Sequence, residues 1–182
     1  AGIIGTGKIG AAMAKICRGF GMRVLAYDLY ENPSLKEFIT YVSLEELWRE
    51  ADVITMHTPL TEENFHLVNE KTLSQMKDGV VIVNTARGAL IDSEALIAGI
   101  ENGKIGAAAL DVVENEFGLY YYDHKSDVLS NRELAILRGF PNVTVSHHMA
   151  FYTDNYTKTV VRDSLSSCKL FMEGKKNPWE VC

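Results

Sequence analysis

The chain has 182 residues, with 18 Lys plus Arg against 24 Asp plus Glu, a formal net charge of −6. A hydrophobic share of 47% and a charged share of 23% exclude a disordered chain, and the length suits one domain with a real core and at most an appendage. The acidic balance argues against a general nucleic-acid or anionic-membrane surface, no apolar run approaches the ~18 residues of a membrane span, and no secretory signal opens the sequence as it stands.

The elements follow in chain order. Only Ala1-Gly2-Ile3-Ile4 precede a glycine turn at Gly5, short of the ~5–6 residues of an ordinary strand. With no initiator Met, this reads as a fragment that begins inside its first strand. From Gly7 to Phe20, Ile9, Met13, Ile16 and Phe20 recur at helical spacing. Residues 23–27 read as a strand set off by Gly21. Ser43 to Glu46 has the pattern of a capping box that opens a short helix to about Glu50. Val53 to Met56 is a strand closed by Pro59, and a helix starts near Glu70 with Asn69 as cap. Asp78-Gly79 turns into Val80–Val83, a strand apolar on both faces. Asp92 caps a helix that runs to about Asn102 and ends at Gly103. Ile105–Leu110 and Val143–Val145 are further strands, and Asp154–Glu173 is a long helix ended by Gly174.

Strands alternating with helices make βαβ units, so the expected fold is α/β, a doubly wound parallel sheet. Ligands then sit at the carboxyl ends of the strands. The residues found there are Thr6, Asp28, His57-Thr58-Pro59, Thr85-Ala86-Arg87, Asp111 and His147-His148. Cys17, Cys168 and Cys182 are odd in number and far apart, with no CxxC, so neither a disulfide framework nor a zinc site is expected. Reduced thiols of a cytoplasmic protein are the simplest reading.

Gly5-Thr6-Gly7-Lys8-Ile9-Gly10 matches G-x-G-x-x-G after a strand and at the start of a helix. Asp28 ends the next strand, 18 residues after Gly10. Gly5 allows the turn, Gly7 lets a pyrophosphate approach the backbone, and Gly10 lets helix and strand pack closely. The helix N-terminus supplies N–H donors to the phosphates. Asp28 accepts from ribose hydroxyls and repels a 2′-phosphate; Leu29-Tyr30 follow it, with no Arg, so NAD is favoured over NADP.

Three titratable groups follow the later strands. A guanidinium such as Arg87 grips a carboxylate bidentately. A histidine near neutrality donates the proton that ketone reduction requires, and an adjacent carboxylate holds its imidazolium. His148 follows the last strand directly after His147, and in the Glu114-Asn115-Glu116 run spacing alone does not choose the carboxylate. Adjacent His147 and His148 point to opposite sides and lack a third ligand at suitable spacing, so no metal is expected.

The segments GIIGTGKIG (2–10), HTPLTEEN (57–64), VNTARGALID (83–92), ALDVVENEFG (109–118) and HHMAFYT (147–153) resemble the D-isomer-specific 2-hydroxyacid dehydrogenases. ENEFGLYYYDH (114–124) and AFYT (150–153) place the chain nearest the D-lactate dehydrogenase branch. The resemblance covers essentially the whole chain. It implies NAD-dependent reduction of a 2-oxo acid, with Arg87 on the substrate, Glu116 as partner of the histidine and His148 as acid/base. It implies NAD contacts from Gly5, Thr6, Gly7, Lys8, Ile9, Gly10, Asp28, Thr58, Pro59, Asn64, Thr85, Ala86 and Asp111. Phe151 and Tyr152 would line the substrate pocket.

The same resemblance divides the chain into a NAD-binding domain over 1–150 and, over 151–182, the C-terminal segment of a substrate domain. It implies a homodimer through the cofactor domain, to which Phe117, Tyr120, Tyr121 and Tyr122 would contribute if they do not serve the core. Two features depart from the family pattern. His147 stands where Pro is common, and the long N-terminal part of the substrate domain is absent. The C-terminal-binding-protein corepressors also resemble this family, so an NAD(H)-binding regulatory module, or an isolated cofactor domain without turnover, is the alternative.

Overall fold

A computed structural model describes residues 1–120, 123 and 131–180, in two compact units, Ala1–His148 and Met149–Cys182. Seven strands form the first unit's sheet: β1 (Gly2–Ile4), β2 (Leu25–Tyr27), β3 (Thr40–Tyr41), β4 (Val53–Met56), β5 (Val80–Asn84), β6 (Ile105–Leu110) and β7 (Val143–Val145). Every pairing is parallel, in the order β3-β2-β1-β4-β5-β6-β7. The chain winds one way from β1 to β3 and the other way from β4 to β7. The strand order therefore reverses between β1 and β4, where their carboxyl ends open a crevice.

The helices of this unit are α1 (Lys8–Gly19), α2 (Leu44–Glu50), α3 (Glu70–Gln75), α4 (Ser93–Glu101) and α5 (Arg132–Gly139). Alternation along β1 sends Ile3 and Ile4 into different cores. Ile4 joins Ile54, Met56, Ile82, Leu96 and Ile105 on one face, and Ile3 joins Ala14, Cys17, Val24 and Leu35 under α1. Full burial of each large aliphatic side chain contributes about 1.5–3 kcal/mol.

The sequence periodicity finds α1 but not its buried face. Gly10, Ala14 and Cys17 pack inward, while Ile9, Ile16 and Phe20 are exposed. The cause is close approach: a Cβ on Gly10 would lie 1.8 Å from the Gly5 carbonyl oxygen. A helix that near the sheet can turn only small residues toward it. The two-residue β3 and the eight-residue α5 carry too little pattern to be read from sequence. Asn131 caps α5 by accepting from the Leu134 N–H at 2.7 Å, and Leu134 and Leu137 anchor it in the core.

The second unit holds α6 (Asp154–Met172), capped by Thr153, whose side chain accepts from the Tyr156 N–H at 3.2 Å. Cys17 is a buried free thiol and Cys168 an exposed one. Tyr121, Tyr122 and Cys182 lie outside the described residues. No helix among the described residues is long and apolar enough to cross a membrane.

Candidate active site

At the crevice, β1 runs into Gly5, whose backbone is left-handed (φ +90) and whose N–H donates to the Tyr27 carbonyl at 2.9 Å. Gly7 is the N-cap of the twelve-residue α1, and a Cβ there would meet no protein atom within 4 Å. The chain's own packing explains Gly10 but not Gly7. Gly7 instead leaves open space in front of a helix N-terminus, where N–H groups and the helix dipole favour an anion. Lys8 and Ile9 are exposed beside it.

Asp28 is tied into the same turn. One carboxylate oxygen accepts from the Thr6 N–H (2.5 Å) and hydroxyl (2.9 Å), the other from the Tyr30 N–H (2.9 Å). Burial alone would raise the Asp28 pKa, but these hydrogen bonds outweigh it and hold the carboxyl below its ordinary value. Tyr41 supports the network by donating its hydroxyl to Thr6 Oγ1 at 2.9 Å while accepting the Asn32 N–H at 2.8 Å. Sequence reasoning did not find Tyr41, because it lies on the short β3.

Beyond β4, Asn64 folds the loop by accepting from the Thr61 N–H (2.7 Å) and donating to the Pro59 carbonyl (2.8 Å). The Thr58 hydroxyl also turns to that carbonyl, at 3.4 Å. His57 sits 3.0 Å from the Thr55 hydroxyl through Nε2, and burial lowers its pKa, favouring the neutral imidazole. Beyond β5, the fully buried Asn84 accepts from the Ala86 N–H (3.0 Å) and donates to the Arg87 carbonyl (2.8 Å). That amide sets the Thr85–Arg87 turn; its signal in the sequence is a lone polar residue ending an apolar strand. Thr85 is exposed and Ala86 half-buried. The exposed Arg87 guanidinium donates to the Ala86 carbonyl at 2.7 Å and has no carboxylate in ion-pair range among the described residues.

Beyond β6 and β7, His148 Nδ1 lies 2.7 Å from Glu116 Oε1. The second Glu116 oxygen accepts from the Val113 N–H at 3.1 Å. The buried Asp111 accepts the His148 N–H on its carbonyl at 2.8 Å, and its carboxylate takes the Ser146 hydroxyl at 2.5 Å. Geometry thus separates what spacing left open: Glu116 meets His148, whereas Glu114 reaches His66. His147 turns away and meets Tyr120 edge-on at 5.5 Å. Phe117 is almost fully exposed.

Phe151 and Tyr152 belong to the second unit, where the Phe151 ring lies edge-on to Tyr152 at 6.1 Å and to Tyr156 at 5.6 Å. The first unit therefore carries, after its strands, a glycine turn at a helix N-terminus, the tied-down Asp28, the exposed Arg87 guanidinium and the His148–Glu116 pair. No group of three or more His, Cys, Asp or Glu that could hold a metal ion occurs among the described residues.

Residues 1–150 match the family model of the D-isomer specific 2-hydroxyacid dehydrogenase, NAD binding domain. An aromatic 2-oxoacid reductase of Clostridium sporogenes is 44% identical over 183 residues, spanning 100% of this chain and 55% of that protein. A D-lactate dehydrogenase of Escherichia coli K12 is 45% identical over 182 residues, with the same shares. The crystal structure of a D-lactate dehydrogenase from Treponema pallidum superposes with a TM-score of 0.94 at 41% identity, over 100% of this chain and 55% of that one. A D-lactate dehydrogenase from Lactobacillus jensenii, solved with NAD+, gives 0.91 at 32%, over the same shares. The chain thus spans about half the length of the curated relatives it matches.

Proposed function

The chain belongs to the D-isomer-specific 2-hydroxyacid dehydrogenase family, whose cofactor is NAD, and from that premise we propose that it works as the reacting half of a D-lactate dehydrogenase-like enzyme. The reaction is 2-oxo acid + NADH + H⁺ to D-2-hydroxy acid + NAD⁺. The observation that carries this reading is the 2.7 Å His148–Glu116 pair at the carboxyl edge of the sheet, on the domain that also presents Arg87.

The open space at Gly7 and the ordered Asp28 fit the pyrophosphate and adenosine ribose of NAD. In this reading Gly5 to Gly10 hold the pyrophosphate, Asp28 the ribose, and Thr58, Pro59, Asn64, Thr85, Ala86 and Asp111 the remainder. Asp28 excludes a 2′-phosphate by charge. When bound, NADH supplies the hydride.

The chain's own residues do the rest. Arg87 binds the substrate carboxylate through its guanidinium fork and orients the carbonyl. Glu116 faces Nδ1 of His148, so Nε2 delivers the proton to the carbonyl oxygen as it becomes a hydroxyl. Glu116 holds the ring in that orientation through its contact with Nδ1. Asp111 fixes the histidine's main chain through its carbonyl. In the same reading residues 1–150 are the NAD-binding domain, and residues 151–182, which include Phe151 and Tyr152, are the C-terminal segment of a substrate domain.

The free thiols of Cys17 and Cys168 support a cytoplasmic setting. The exposed apolar residues of α1, Ile9, Ile16 and Phe20, support a homodimer formed through the cofactor domain.

Turnover of pyruvate and phenylpyruvate by the full-length protein, measured beside NADH affinity, tests the roles. Arg87→Ala and His148→Ala are each expected to lower kcat/KM by about 10²–10⁴-fold while NADH still binds. Full activity in either variant contradicts the assignment. NADH binding without reduction of any 2-oxo acid points instead to a regulatory module.

A further inference from the structure

A second His–Glu pair lies beside the first and has no part in the chemistry above. His66 Nε2 is 2.6 Å from Glu114 Oε1, and its Nδ1 is 3.7 Å from Asp92. The other Glu114 oxygen accepts from the Ser93 N–H at 3.2 Å, and its carbonyl accepts from Asn131 at 3.2 Å. The His66 main chain is held as firmly. Its N–H donates to the Ala89 carbonyl at 2.9 Å, and its carbonyl accepts from Asn69 at 2.8 Å. Phe65 stacks on the imidazole at 3.9 Å.

These contacts join the three loops that carry Asn64, Arg87 and Glu116. The Arg87 turn is itself pressed on the third loop: a Cβ on Gly88 would lie 2.1 Å from the Val113 carbonyl oxygen. Backbone strain marks the same place. Among the described residues, the non-glycines with positive φ are His66 (φ 51), Asn115 (φ 54) and His148 (φ 51). A left-handed non-glycine is a strained conformation and persists only where its surroundings over-determine it. Here the two strained histidines each face a glutamate, and the strained asparagine stands between those glutamates.

We propose that His66 and Glu114 are positioning residues: their pair locks the 113–116 loop so that Glu116 meets His148, and steadies the Arg87 turn. This rests on the reading of Glu116 and His148 as the reacting pair. Neither His66 nor Glu114 touches substrate or cofactor in this account; each acts through the loop. A misplacement of about 1 Å is enough to lower a rate by about 10²-fold.

The test compares His66→Ala, His66→Gln and Glu114→Gln with the unaltered protein. Three quantities are read: the NADH dissociation constant, kcat and KM for the 2-oxo acid, and the low-field proton resonance of the His148 ring N–H, assigned by its loss in His148→Gln. For His66→Ala the expected result is a fall in kcat of about 10–10²-fold, loss of the His148 resonance, and NADH affinity within about twofold. His66→Gln keeps an N–H that can donate to Glu114, and is expected to restore the resonance and most of kcat. The proposal is overturned if His66→Ala keeps both, or if His66→Gln is as defective as His66→Ala. Should His66→Ala fail to fold, the near-isosteric Glu114→Gln decides by the same readouts: a lowered kcat and weakened resonance support the proposal, unchanged ones overturn it. If the unaltered protein reduces no 2-oxo acid, the functional reading fails, and the dependence of the His148 resonance on His66 still decides the positioning claim.

Discussion

At the scale of single residues, two glycines of one motif have opposite jobs. Gly10 serves the fold, since its Cβ would overlap the Gly5 carbonyl, whereas a Cβ on Gly7 meets no protein atom. Gly10→Ala should therefore destabilise by about 3 kcal/mol or more, read as a lowered denaturation midpoint. Gly7→Ala should hold stability within about 0.5 kcal/mol and weaken NADH binding instead. Asp28 gives a pH prediction. Its folded pKa is depressed, so its contribution is present above the unfolded value of about 3.9 and is lost as pH falls through the lower folded value. Urea unfolding as a function of acid pH should show a slope below about pH 5 that flattens in Asp28→Asn, and above about pH 5 the variant should be less stable by an amount that no longer varies with pH. Motif glycines, Asp28 and the after-strand positions are legible in sequence because each has a local signature. Tyr41 and His66 are not, since their value comes from partners 35 and 48 positions away that only the fold supplies.

At the scale of elements, caps and turns are readable because their chemistry is short-range. Ser43 accepts the Glu46 N–H at 3.2 Å, as the local pattern predicts. The full reciprocal box occurs at α3, where Asn69 and Thr72 exchange hydrogen bonds at 2.9 and 3.1 Å. Asn69→Ala should cost about 1–2 kcal/mol in urea unfolding, at the upper end for a cap because Asn69 also holds the His66 carbonyl. Helix orientation is less legible. The periodic Ile9, Ile16 and Phe20 locate α1, yet the close approach at Gly10 turns that stripe outward. A hydrophobic pattern records which residues share a face, and the distance between backbones decides which face is buried.

At the scale of the whole molecule, an all-parallel sheet with a reversal between β1 and β4 gathers the Gly5–Gly10 turn, Asp28, Arg87, Glu116 and His148 at the carboxyl ends of its strands. The alternation of strands and helices predicts that sheet, because parallel strands require crossovers and the apolar runs of β4 and β5 require cover on both faces. Relatives of 44% and 45% identity are an aromatic 2-oxoacid reductase and a D-lactate dehydrogenase, so the proposed function is tested with one aromatic and one small 2-oxo acid. The measurement that bears most directly on the central claim is NADH oxidation by the full-length protein with pyruvate and with phenylpyruvate as acceptors, followed by chiral analysis of the product. The account predicts stoichiometric formation of the D-2-hydroxy acid from at least one of them. Formation of the L-isomer, or no product from any 2-oxo acid while NADH binds, would contradict it.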